Sequence, residues 1–195
     1  MATQARSQAA AEVRTLTYSV TLQRDPKRFP GQKAIQVTAD HVFSAGDGVR
    51  LAFMSPQGGH LYIFNESPRR AGGPRSVNVL FPSPTSNDGS ARLDGGQTVT
   101  IPDRGDGFVF DKEKGVERLW IIWSAGAQPR LDEMKRYANP TDRGEIKDGA
   151  DVDALDAFVR DHASPAPDSA VDDDGVTTLS ARADLFVRLV KLAHQ

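Results

Sequence analysis

The chain has no cysteine. That excludes a disulfide framework, a thiolate zinc site and a cysteine nucleophile. It has no apolar run of about 18 residues or more, the length that marks a membrane-spanning helix. No sign of charge dominates: 24 Lys and Arg against 26 Asp and Glu leave −2. Such a balance exerts no overall pull on nucleic acid or acidic lipid. No G-x-S-x-G elbow, P-loop, G-x-G-x-x-G or HExxH spacing occurs, so the common hydrolase, nucleotide and zinc signatures are missing. What remains is 195 residues, the size of one large domain, which buries roughly 70% of its unfolded surface.

Residues 1–13 read as a flexible arm, without the apolar stretch of a secretory signal. The chain as given is therefore expected in the cytoplasm, or at the envelope if a further segment precedes it. Residues 14–195 are expected to form one domain.

The body is a series of short apolar stretches divided by turns. Leu16, Tyr18, Val20 and Leu22 alternate with hydroxyl residues, the period of a half-buried strand. Further strands are expected at 35–38, 49–53, 61–64, 77–81, 97–101, 107–110 and 118–124. Turn sequences such as Asn87-Asp88-Gly89 separate them. The pattern predicts a mainly β fold: an antiparallel β-sandwich, Ig-like or jelly-roll-like.

Two strands have no polar face. Leu61-Tyr62-Ile63-Phe64 and the stretch Leu119 to Trp123 are apolar on both sides, so something must cover the sheet's outer face there. A helical excursion at 128–163 supplies two candidates. Pro129 opens the first, with Leu131, Met134 and Ala138 at helical spacing; the second begins near Asp151 and ends at Ser164-Pro165. We expect these two helices to cover one face. Residues 164–175 read as an acidic loop. Leu185 to Leu192 reads as a closing strand.

Few residues invite chemistry. Asp172-Asp173-Asp174 has the oxygen ligands calcium takes but not the spacing of a calcium loop, and no metal or cofactor is expected. Of His41, His60, His162 and His194, His60 stands out at the head of a buried strand, where packing is the simpler role. Trp120 and Trp123 suit a sugar platform or a core. The strand around them is so apolar that Trp120→Ala is expected to cost roughly 3–5 kcal/mol. Arg69, Arg70 and Arg75 share one Pro/Gly-rich loop. Their guanidinium groups suit carboxylates, so they are the expected partner-binding residues, in a loop whose charges add little to stability.

The strand region also resembles a family. Phe43, Gly46-Asp47-Gly48-Val49-Arg50-Leu51 and Gly59-His60-Leu61-Tyr62-Ile63-Phe64-Asn65 are followed by Leu80-Phe81-Pro82, Gly96 and Ile101-Pro102. Phe108, Phe110, Gly115-Val116-Glu117-Arg118-Leu119-Trp120 and Ser124 complete the string. In order and spacing, residues 43–124 resemble the bacterial domain-of-unknown-function family 4384. The chain departs from it at His60, where the family usually has tyrosine, and in a longer loop at 67–75. The motif positions Gly46, Asp47, Gly59, Tyr62, Phe81, Pro82, Pro102, Gly115, Glu117 and Trp120 read as structural: turns, strand starts and strand ends.

The resemblance implies an accessory module, of the kind joined to bacterial kinases, caspase-like peptidases or envelope proteins. The expected function is therefore non-catalytic: an interaction or scaffolding module for a protein partner, with no nucleic acid and no membrane insertion. A carbohydrate- or small-ligand-binding module is the alternative, and a hydrolase the third reading.

Overall fold

A computed structural model describes residues 12–69, 73–105 and 107–195. All but the last two residues of the expected N-terminal arm lie outside these. Two sheets pack face to face, as the turn-divided strands predicted. The first contains β1 (Arg14–Gln23), β2 (Ile35–Val37), β4 (Gly48–Met54), β8 (Thr98–Ile101), β9 (Phe108–Val109), β11 (Asp168–Val171) and β12 (Thr177–Ala181). Its order is β11-β12-β1-β4-β8, with β2 also on β1 and β9 also on β4. The second contains β3 (Val42–Phe43), β5 (Gly59–Glu66), β6 (Val77–Phe81), β7 (Arg92–Leu93), β10 (Gly115–Ser124) and β13 (Leu185–His194). Its order is β3-β13-β10-β5-β6, with β7 also on β5. Every pairing is antiparallel except that of β3 with β13.

The alternation in β1 places Leu16, Tyr18, Val20 and Leu22 in the core between the sheets. They meet Ile63, Ile121, Trp123 and Phe186 from the opposite sheet. Trp123 is fully buried and stacks on Phe186 with centroids 5.5 Å apart. Its indole lies across the start of β5. A side chain at Gly59 would place Cβ 2.6 Å from Trp123 Cζ2, and the φ of +140° also favours glycine there.

The expected cover over the doubly apolar strands is present. Tyr62 and Phe64 of β5 and Ile122 of β10 form a second core with Leu131, Met134, Leu155 and Val159. The last four come from α1 (Pro129–Met134) and α2 (Gly149–His162). α1 is shorter than its apolar spacing suggested: it tightens into a 3-10 turn at Lys135–Tyr137, and Ala138 lies beyond it. Asp148 caps α2 by accepting from the Ala150 N–H at 2.9 Å. Tyr62 fastens α1 to the sheet: its hydroxyl donates to Asp132 at 3.1 Å and accepts from the Gln128 N–H at 2.9 Å.

Two expectations need correction. The segment 164–175 is not wholly a loop, because it contains β11, which pairs with β12 in a hairpin. The sequence Asp-Ser-Ala-Val has little strand propensity; its conformation comes from the ladder to β12. Trp120 is not a core residue like Trp123. It is half-buried at the margin of the helix-covered face, with the Arg118 guanidinium carbon 5.7 Å from its ring centroid.

Candidate functional site

The edges of the two sheets come together at β6 and β8. There the chain leaves a groove of about 370 Å³. Leu80, Ile101, Pro102 and Phe108 give it an apolar floor, and Ala138 and Arg143 come from the segment after α1. That segment is held by the backbone. The Val79 N–H donates to Gly144 O at 2.8 Å, and the Ile146 N–H donates to Val77 O at 2.8 Å. The chain thus occupies the outer edge of β6 and raises one wall of the groove.

The wall is held by its own turn. The Asn139 Oδ1 accepts from the Thr141 and Asp142 N–H groups at 2.8 and 2.9 Å, a side-chain-closed turn. Arg143 and Gly144 then take φ of +54° and +89°. Gly144 needs its missing side chain, since a Cβ would come 2.8 Å from Val79 O. Arg143 is a left-handed non-glycine residue, a conformation with a cost of about 1 kcal/mol or more. Among the described residues no carboxylate pairs with its exposed guanidinium. The groove therefore offers apolar surface beside an available cation. It suits an apolar side chain with a neighbouring carboxylate.

The arginine loop is arranged differently from the sequence expectation. Arg70 lies outside the described residues. Arg69 is exposed. Arg75 is a structural tie: it donates to Glu66 Oε1 at 2.9 Å and Oε2 at 3.2 Å, and to Asp156 Oδ1 of α2 at 2.9 Å. Its hydrogen bonds to Asp156, together with Glu66, push its pKa up. Arg75 cannot offer its guanidinium to a partner without uncovering Glu66, whose side chain is 9% exposed. Arg118, 3.7 Å away, is the second cation on Glu66.

A polar nest lies nearby. The Glu117 carboxylate accepts from Asn65 Nδ2 at 2.7 Å and from the Ser67 hydroxyl, and sits 3.7 Å from His194 Nε2. His194 is buried and stacks on Phe110. Serine, glutamate and histidine meet here in the wrong order for acyl transfer. The serine touches the acid, whereas activation needs histidine between the two. Gly115 admits Pro68 beside this nest, since a side chain there would collide with the proline ring.

Burial pushes the Glu117 carboxyl up, against the opposing pull of Asn65, His194 and Ser67; Asp111 adds a smaller upward push. A raised carboxyl pKa favours the folded state at low pH, and that contribution is lost as pH rises through the folded pKa. Glu117→Gln keeps the hydrogen-bonding shape without the buried charge. Its melting temperature relative to the natural chain is expected to rise between about pH 4 and pH 7. A difference that stays flat or falls over that range would place the His194 attraction above the desolvation.

The remaining sequence candidates are accounted for locally. Asp47 is fully buried, accepting from the Ser44 N–H at 3.0 Å, the Asp25 N–H at 3.2 Å and Arg24 at 3.2 Å. It fastens the start of β4 to the loop after β1. Phe81 is buried in the inter-sheet core, and Pro82 and Pro102 follow the last residues of β6 and β8. His60 pairs across the ladder with Ser124 and Arg92, but the Ser124 hydroxyl accepts from Gln128 Nε2 at 2.8 Å. His162 Nδ1 lies 2.8 Å from Phe158 O. In the acidic triplet, Asp172 Oδ1 accepts from the Asp174 and Val176 N–H groups, closing the β11–β12 turn. Arg143 was missed in the sequence. The only signal was the turn chemistry of Asn139-Pro140-Thr141-Asp142-Arg143-Gly144.

Residues 42–126 match the family described as Domain of unknown function (DUF4384). No curated protein and no solved structure matches the chain. The matched segment runs from β3 through β10. Strands outside it complete both sheets: β1 lies between β12 and β4, and β13 between β3 and β10.

Proposed function

We propose that this chain is a non-catalytic interaction module that receives an apolar side chain of a partner protein in the β6–β8 groove. Arg143 meets an acidic group next to that side chain. The single observation that carries the reading is the exposed Arg143 guanidinium, without a carboxylate partner among the described residues, beside the apolar groove. The acidic partner anticipated for the 69–75 loop is thereby assigned to a different arginine. The resemblance over residues 43–124 supports a scaffolding role in a bacterial signalling or envelope-associated protein. The Ser67–Glu117–His194 order favours binding over catalysis.

A displayed peptide library selected on the purified chain tests this. Enriched peptides are expected to pair an aromatic or branched residue with an adjacent Asp or Glu. Arg143→Gly should abolish the acidic preference and leave folding intact, because glycine adopts the positive φ freely. Arg143→Glu should reverse the preference. Selection of no consensus, or a consensus indifferent to both variants, would remove the groove from consideration.

A further inference from the structure

We propose that β11 is a docking edge that takes an extended, basic segment of a partner protein as an added strand. The Asp172 N–H donates to Val176 O at 3.0 Å, in the same register that sets Ala170 opposite Thr178 and Asp168 opposite Ser180. In an antiparallel pair, residues alternate between those bonded to the neighbouring strand and those facing away. Asp168 and Ala170 therefore bond inward to β12, and Ser169 and Val171 present their N–H and C=O groups outward.

That outward side is open. β11 ends the order of its sheet, and among the described residues no strand pairs with its outer side. All four of its residues are exposed, Val171 at 55%. The usual protections of an edge are shortness, charged side chains, proline, a bulge or a covering segment. β11 is short, begins at an aspartate and runs into others. Among the described residues, however, it has no proline, no lysine, no bulge and no covering segment. Its charges are all of one sign, which leaves it open to a basic strand. At the corresponding edge of the other sheet, residues 144–146 cover β6. Ser169 and Ala170 are small enough for a second backbone to approach closely.

The charge around the edge decides the occupant. Asp168 begins the strand, and Asp172, Asp173 and Asp174 follow it, all exposed. A second copy pairing antiparallel would bring the Asp168 end of one strand to the aspartate triplet of the other. Like charges facing each other across a ladder repel. A lysine- or arginine-bearing segment meets the opposite situation, with main-chain bonds supplying affinity and the aspartates supplying preference. This edge is separate from the β6–β8 groove, and the two can be tested apart.

The experiment uses two synthetic peptides, one of alternating lysine and valine and one of alternating glutamate and valine. Amide hydrogen exchange is followed by NMR on the full chain. The lysine peptide is expected to slow exchange at Ser169 and Val171, the two outward N–H groups, and to leave Ala170 unchanged. Val171→Pro removes only an outward donor, which an edge strand tolerates. It should weaken binding on the order of tenfold, the worth of a lost main-chain hydrogen bond and a disturbed register. Asp173→Lys with Asp174→Lys leaves the turn-closing Asp172 in place and should transfer the preference to the glutamate peptide. The proposal is overturned if the lysine peptide protects neither amide, if both peptides protect equally, or if Val171→Pro binds unchanged. Protection that appears without peptide as the chain is concentrated would assign the edge to a second copy and overturn it too.

Discussion

Trp123→Ala is expected to lower the unfolding free energy by about 4 kcal/mol, the cost of emptying a large site in a packed core. Trp120→Ala is expected to lower it by about 2 kcal/mol, because only part of that ring leaves water on folding. The contrast rests on position along one strand. Trp123 is fully buried between the sheets and stacks on Phe186, with Gly59 shaped to its indole. Trp120 faces the helix-covered side, near the margin, under the Arg118 guanidinium. Among the described residues no group accepts from the Trp123 indole N–H. Trp123→Phe therefore loses volume but no hydrogen bond, and should cost much less than alanine. Denaturant midpoints with unchanged slopes measure all three. A Trp120→Ala loss equal to that of Trp123→Ala would mean that the helical cover is as tightly packed as the inter-sheet core.

The second large effect belongs to the loop arginine. Arg75→Ser is expected to cost on the order of 3 kcal/mol, because removing one partner leaves a buried charge uncompensated. The figure is the low end for such a change, since Arg118 still lies 3.7 Å from Glu66 and the Arg75 side chain is 20% exposed. Arg69 is exposed, and Arg69→Ser should stay within about 0.5 kcal/mol. The pair Arg75→Ser with Glu66→Gln should recover part of the loss by removing the stranded carboxylate. Urea unfolding of the four chains completes the double-mutant cycle. A single Arg75→Ser that matches Arg69→Ser would reduce the Glu66–Arg75–Asp156 network to a surface contact. The network links the end of β5, the loop and α2, so its loss should also loosen the helical cover.

Much of the architecture is determined locally. The period-two alternation of β1 follows from one face meeting the core and one meeting water. The doubly apolar runs in β5 and β10 required a cover, and Pro129 and the Leu155/Val159 spacing identified the helices that provide it. Leu185–His194 forms the closing strand its apolar positions suggested; it lies between β3 and β10. In each case the residue pattern itself carries the instruction, because burial must match the period of the backbone.

Other features depend on which distant segments meet. Trp120 and Trp123 sit in equally apolar sequence on opposite faces of β10, as period two requires. Only the position of Gly59 and the margin of the helices makes one face fully packed at its tryptophan and the other half-open. Arg75 looks like its neighbour Arg69 until Asp156, 81 positions away, joins it. β11 has a loop's composition and becomes a strand because β12 offers a ladder. The groove exists because residues 144–146 lie along β6, which leaves Arg143 at its lip. Along the chain the sequence determined period, apolar faces and turn chemistry, all of which act between near neighbours. The tertiary structure alone decided which charges are paired, which edge is covered and which cation is left available. Those are properties of surfaces brought together across the chain, and no local pattern encodes them.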